Sequence, residues 1–300
     1  MSASVTLPFQ PAVLAAVPSF GRFLTLDLAD ATPARAKEAL LAAREATSIA
    51  RAGIGIGEPL ALALGKKIEG LRSFPVVTGP GVAFPSTQGA LWAFFAGDDP
   101  GDVLDRARAL LAATAGAFVL SEDVPTFKYR EGRDLSGYVD GTENPVDDLA
   151  VDAAIARGRG AGHDGGSFVA AQKWVHDLDG LAAMTPGARD DLVGRRMADN
   201  EELPDAPASA HVKRTAQEDF DPPAFMVRRS MPWGDTRLHG LYFVAYGESL
   251  DRYERALRRM AGLDDGITDG LLRFSRAKTG GYYFCPPVRA GKLDLSVVGL

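Results

Sequence analysis

The sequence predicts an α+β fold built from two ferredoxin-like halves, and three observations predict it. Elements of the first half alternate as β-α-β-β-α-β, the ferredoxin-like order. An aromatic-rich strand, a glycine turn and an amphipathic helix recur near the end of each half. With 300 residues, 46% apolar and 24% charged, the chain has a globular composition and the length for two ordinary domains or one duplicated one.

In chain order, residues 21–28 have strand character in Phe23, Leu24, Thr25 and Leu26. Thr32 and Pro33 follow as an N-cap and a first-turn proline, opening an alanine-rich helix that runs to about Thr47. An apolar segment at 48–56, a strand at 89–97, a helix at 102–115 and a strand at 117–128 complete the half. Gly53, Gly55 and Gly57 lack the glycine spacing and the following helix of a dinucleotide fingerprint, so no nucleotide site is expected there.

The second half repeats the pattern. The strand at 240–247 followed by Leu250-Asp251-Arg252 parallels the strand at 89–97 followed by Leu104-Asp105-Arg106. Duplication is therefore expected, with halves 1–132 and 133–300. A glycine-dense loop at 158–166 leads into a strand at 167–176, and Pro204 and Pro207 hold the approach to His211 extended.

A net charge of -6 and a pI near 5.3 argue against nucleic acid or an anionic membrane surface as partners. Cys285 is the only cysteine, so no intrachain disulfide and no thiolate metal cluster can form. Residues 1–20 have no positive n-region, carry Pro8, Pro11 and Pro18, and do not read as a leader. No window approaches a membrane span, and a cytoplasmic location is the expectation.

Two stretches carry the chemistry. Gly137-Tyr138-Val139-Asp140-Gly141-Thr142-Glu143-Asn144-Pro145 is by itself turn chemistry, since Asp-Gly and Asn-Pro both favour turns. His211 is one of four histidines, and a lone histidine is more often a surface or satisfied core residue than a ligand. His163, His176 and His239 have no ligand-type partner at useful spacing and are expected to face solvent. In Val227-Arg228-Arg229-Ser230-Met231-Pro232-Trp233, strand alternation puts Arg228 and Ser230 on one face and Arg229 on the other.

Together with Thr268-Asp269-Gly270-Leu271-Leu272-Arg273 and Thr279-Gly280-Gly281-Tyr282-Tyr283-Phe284, these motifs resemble those of the dye-decolourising peroxidases of the compact bacterial type, class B. The resemblance covers about residues 21–284, with the specific motifs confined to 137–284. It implies a duplicated ferredoxin-like α+β barrel binding one haem b per chain in its C-terminal half. It further implies a peroxidase that uses hydrogen peroxide to reach a ferryl state and oxidises dyes, phenols or other organic reductants.

By the same resemblance His211 is the proximal iron ligand. Asp140 is the distal acid–base residue, Arg228 the distal cation and Ser230 a secondary polar group. Gly141, Thr142, Glu143, Arg214 and Phe243 are the expected haem contacts, and Asp269 is the acceptor for the far nitrogen of His211. Ser230 departs from the asparagine of many relatives, and Arg229 is an extra arginine. Trp233, Tyr138 and Tyr242 are candidate electron relays from reductants too bulky for a buried site. A homo-oligomer is expected. In some relatives a tail like residues 293–300 directs the protein into an encapsulin nanocompartment, but here the tail reads as the last packed segment.

Two other readings use the same residues: a haem carrier of deferrochelatase-like type, and a chlorite-dismutase-like haem enzyme. A carrier needs the ligand histidine but not a polar pair above the iron. A chlorite enzyme would use a distal arginine without requiring the Gly-x-x-Asp-Gly string.

Overall fold

A computed structural model describes residues 8–300; residues 1–7, part of the stretch read as leaderless, lie outside the described residues. The first half comprises β1 (Phe20–Leu28), α1 (Pro33–Ala46), β2 (Ala52–Gly57), α2 (Glu58–Ala63), β3 (Val77–Gly79), β4 (Val82–Phe84), β5 (Leu91–Gly97), α3 (Pro100–Ala113) and β6 (Phe118–Phe127). The second begins with α4 (Asp147–Ala154), β7 (Ser167–His176), α5 (Leu178–Ala182), α6 (Pro186–Val193) and α7 (His211–Thr215). It continues with β8 (Val227–Arg228), β9 (Met231–Gly234), β10 (His239–Gly247), α8 (Asp251–Met260), β11 (Ser275–Ala277), β12 (Gly281–Cys285), β13 (Val288–Arg289) and β14 (Lys292–Leu293).

Local chemistry accounts for the principal helices. Pro33 opens α1, and Ala36, Ala39, Leu40 and Ala43 recur at three- and four-residue steps as its buried face. Leu40 is fully buried against the sheet, so truncating it to alanine costs roughly 2–5 kcal/mol. In α3 the Asp99 carboxylate caps the first turn by accepting from the N–H groups of Gly101 and Asp102. No helix among the described residues is long and apolar enough to cross a membrane.

The strands confirm the duplication. The first half runs β2-β5-β1-β6 and the second β9-β10-β7-β12, which in each half is second, third, first and fourth strand. Pairings β12–β2 and β6–β9 join the halves, and β7–β10 closes the ring, so these eight strands form a barrel without free edges. β8 continues β9 along β10, and β11 continues β12 along β7.

Alternation then sorts the side chains. Phe23, Trp92, Phe94, Tyr242, Tyr246 and Tyr283 fill the interior, with Phe23 stacked on Tyr242 at 4.1 Å and on Phe94 at 4.5 Å. Leu24, Leu26, Ile54, Ile56 and Phe95 point outward beneath the helices. This explains the glycine string of β2. A Cβ on Gly55 would lie 2.7 Å from Tyr283, and one on Gly57 would lie 2.1 Å from the Gly89 carbonyl. The glycines make room for interior aromatics and for the backbone that leads into β5.

The apolar tail packs as expected, burying Leu293, Leu295 and Val298 in the outer core.

Candidate active site

A cavity of about 420 Å³ lies on the outer face of the second half's sheet, and all its lining residues fall between Asp134 and Ser275. Gln172, Trp174 and His176 reach it from alternate positions of β7, Leu241 and Phe243 from β10, and Tyr253, Ala256 and Met260 from α8. Such a size and apolar lining suit a cofactor or small ligand.

One wall carries His211, the first residue of α7 rather than part of an extended approach. Its Nδ1 lies 2.7 Å from Asp269 Oδ2, and Asp269 is 1% exposed, with Oδ1 accepting from the Leu271 N–H at 2.8 Å. An ionised carboxylate only accepts, so Nδ1 carries the proton and Nε2 keeps its lone pair for the cavity. Arg214 does not line the cavity. It forms a two-pronged pair with Asp265 at 2.6 and 2.7 Å and donates to the Arg259 carbonyl, which anchors α7 to the end of α8.

Asp140 and Arg228 line the same cavity. Asp140 sits at the end of a small hairpin: Arg133 bridges to Val139, the Asp134 N–H donates to the Tyr138 carbonyl, and the Asp140 N–H donates to the Gly132 carbonyl. Gly137 at φ +94° and Gly141 at φ +77° supply turns that other residues rarely adopt. Burial pushes the Asp140 carboxyl above its ordinary 3.8; Arg228 pulls it down, Asp134 adds to the rise, and His211 pulls it down more weakly. Arg228 lines the cavity with its Nε buried and without a hydrogen-bond partner among the described residues.

Alternation correctly separates Arg228 from Arg229, which turns away and donates to the carbonyls of Leu14, Ala15 and Arg228. It fails for Ser230. The ladder is interrupted between β8 and β9, and the Ser230 hydroxyl sits 3.4 Å from the Val244 N–H in place of a backbone carbonyl, so Ser230 does not line the cavity. Gly141, Thr142, Glu143 and Phe243 do line it, whereas Asp269 acts only through His211. Of the candidate relays, Tyr138 lines the cavity and donates to Asp190, while Tyr242 and Trp233 lie in the barrel interior.

Residue patterning misses three participants. Asn144, which reads as a turn residue, bonds the backbone of Arg228. His176, expected to face solvent, is buried between Asp134 and Ser275. Asp134 carries no signal beyond its place six residues before Asp140.

The cavity's donors fit a haem. It offers the His211 imidazole, whose Nδ1 is taken by Asp269, apolar walls for a macrocycle, and the Asp140 carboxyl and an Arg228 Nε without a partner among the described residues on the same cavity. Fold and site together define a haem-dependent peroxidase.

Comparison with known proteins agrees. The family model for the C-terminal part of Dyp-type peroxidases matches residues 131–290. A dye-decolorizing peroxidase of Mycolicibacterium paratuberculosis is 32% identical over 303 residues, covering 94% of this chain and 84% of its own. One from Mycobacterium tuberculosis is 32% identical over 224 residues, covering 73% and 67%. Among solved structures, a dye-decolorizing protein from V. cholerae superposes with a TM-score of 0.84 at 27% identity, over 92% of this chain and 96% of that one. DyPB from Rhodococcus jostii RHA1 gives 0.82 at 28% identity, over 92% and 95%, and a variant of it is known in complex with heme. The chain belongs to the Dyp-type peroxidase family. That membership favours neither the carrier nor the chlorite reading.

Proposed function

We propose that Asp140 and Arg228 form the peroxide-cleaving pair of this peroxidase and that His211 would ligate the haem iron. The observation that supports this is their convergence on one cavity, with His211 Nε2 bare and Arg228 Nε unpartnered. Gly141, Thr142, Glu143 and Phe243 would contact the haem edge and face.

Haem held here through His211 would supply the redox chemistry toward peroxide and an organic reductant. The Asp140 carboxylate takes the proton from one peroxide oxygen and returns it to the other, which leaves as water. Among the described residues no side chain hydrogen-bonds its carboxyl, which has the backbone N–H of Gly141 beside it. The Arg228 guanidinium stays charged throughout and offsets the negative charge gathering on the departing oxygen. Asp269, by accepting from Nδ1, fixes the ring and makes Nε2 a stronger donor.

Reductants too large for the cavity would pass electrons through the protein, with Tyr138 nearest the site. The halves divide near residue 132, all the chemistry falling in the second. A cytoplasmic location is the reading that the single cysteine supports, and a homo-oligomer is what the family resemblance implies; the packed tail speaks against use of residues 293–300 as a cargo signal.

The test is an absorbance titration with haem followed by stopped-flow mixing with hydrogen peroxide. One haem per chain with a histidine-ligated spectrum, and a peroxide reaction that collapses in Asp140→Ala while haem stays bound, are expected. A variant reacting as fast as the parent would remove Asp140 from the mechanism.

A further inference from the structure

His176 has no part in the chemistry so far, yet it is the most fully engaged histidine of the chain. It closes β7 on the cavity face, its side chain 4% exposed. Register pairs it with Ser275 of β11, whose hydroxyl lies 2.7 Å from Nδ1. On the other side Nε2 lies 3.1 Å from Asp134 Oδ1. Ser275 and Asp134 also line the cavity, so a buried serine, imidazole and carboxylate stand in a row along its floor.

The row has a direction. An ionised carboxylate can only accept, so Nε2 bears a proton and donates to Asp134, while Nδ1 shares a hydrogen bond with the Ser275 hydroxyl on the other side of the ring. The carboxylate is suited to stay ionised. Burial alone would raise its proton affinity, but the His176 hydrogen bond and charge, with the Ser136 bonds, outweigh burial and hold it below the ordinary value. Its second oxygen accepts from the Ser136 N–H at 2.7 Å. Both oxygens are thereby fixed, and through them the hairpin whose far end is Asp140.

The Asp140 carboxylate makes no hydrogen bond to another side chain among the described residues, so its position depends on the backbone beneath it. That backbone hangs from the strand around Asp134: the Asp140 N–H is tied to Gly132, and Asp134 itself is tied to Gly137 and Tyr138 through main-chain bonds. We propose that His176, oriented by Ser275, is a positioning residue that pins Asp134 and so sets the distal carboxyl of Asp140 at the peroxide site. This rests on the assignment of Asp140 as the proton-transferring group.

The experiment compares His176→Gln, His176→Phe, Ser275→Ala and Asp140→Ala in the haem-loaded enzyme. Glutamine places an N–H near the position of Nε2, whereas phenylalanine keeps the bulk and loses the donor. Haem content and melting temperature report folding. A second readout, independent of turnover, is the association rate of cyanide, which arrives as hydrogen cyanide and must give its proton to a base in the cavity.

His176→Phe is expected to slow both the peroxide and cyanide reactions by about tenfold or more, with haem content that of the parent. His176→Gln should return to within about threefold of the parent, and Ser275→Ala should fall between them. A phenylalanine variant with full haem and parental rates overturns the proposal, as does a glutamine variant as slow as phenylalanine. Should the phenylalanine variant fail to hold haem, Ser275→Ala decides, because parental peroxide and cyanide rates in it overturn the proposal equally. Asp140→Ala separates the two levels: parental rates there sink the Asp140 assignment, whereas a slow Asp140→Ala beside a fast His176→Phe sinks only the positioning role.

Discussion

The carboxamide of Asn144 holds the peptide of Arg228 at both ends, donating from Nδ2 to its carbonyl at 3.0 Å and accepting its N–H on Oδ1 at 2.8 Å. One side chain thus imitates a neighbouring strand along the outer edge of β8. The loop that carries Asp140 and the strand that carries Arg228 are thereby fixed to each other. Asn144→Ala should therefore cost roughly 1–3 kcal/mol of stability by leaving the part-buried Arg228 N–H unpaired and its carbonyl with the Arg229 guanidinium alone. It should also slow the peroxide reaction roughly ten- to a hundredfold by loosening the pair. Thermal unfolding and stopped-flow mixing check the two effects separately, and parental values in both would show the contact to be idle.

Removing the carboxyl itself is a harsher change. Asp140→Ala should lower the rate with peroxide by about 10²–10⁴ while haem content stays that of the parent. Arg228→Leu should lower it by about 10²–10³, since it removes a fixed charge rather than the proton carrier. Measured side by side, the two rates rank the residues.

Below the iron, Asp269→Asn keeps the shape of the acceptor and removes its charge. The ring of His211 then donates less strongly, and the reduction potential of the bound haem should rise relative to the parent. Spectroelectrochemical titration measures it; an unchanged potential would mean that Asp269 serves only to cap the turn at Leu271, whose N–H it also accepts.

Proton linkage gives an independent test of how Asp140 is housed. Its proton affinity is raised by burial above the ordinary 3.8, so the fold favours the protonated form. The stability it contributes is full below 3.8 and is lost as pH climbs through the raised value. Asp140→Asn, neutral at every pH, should therefore gain on the parent as pH rises toward neutrality. Urea unfolding at a series of pH values tracks the difference, and a flat difference contradicts the burial argument. For the same reason the acid limb of the peroxide reaction should fall above 3.8.

Sequence patterning locates the strands and helices whose faces are clearly sorted. β7 and β10 alternate, α1 has its alanine stripe, and the Leu-Asp-Arg helix starts betray the repeat. It locates the site residues whose neighbours form a distinctive string, Asp140 and Arg228, and the histidine set at a fixed distance from them. It does not reveal α7, because five residues beginning at His211 are too few to show a period. Nor can it show His176, Ser275 and Asp134 as a group: the partners of His176 lie 99 and 42 residues away, and only the barrel brings them together. Ser230 fails for a related reason, since alternation presumes an unbroken strand and the ladder is interrupted at that position. Arg214 lies one helical turn beyond His211, but its guanidinium is taken by Asp265 and the Arg259 carbonyl, partners 51 and 45 residues away that no local pattern reveals.

The two copies in this chain differ most in the connection that leaves their first strand. After β1 a single helix, α1, lies flat on the sheet and seals it with Ala36, Ala39, Leu40 and Ala43. After β7 the corresponding connection wanders through α5, α6 and α7 before β8 begins, and the cavity is walled by residues of that second copy alone. Duplication has in effect released one copy from the duty of sealing its own sheet. The other kept its close-packed helix and, by completing the ring of strands, braces its twin so that a face can stay open for chemistry. Loosening α1 should therefore harm catalysis from the far side of the barrel, and the conservative half of the molecule is what lets the inventive half depart from the common plan.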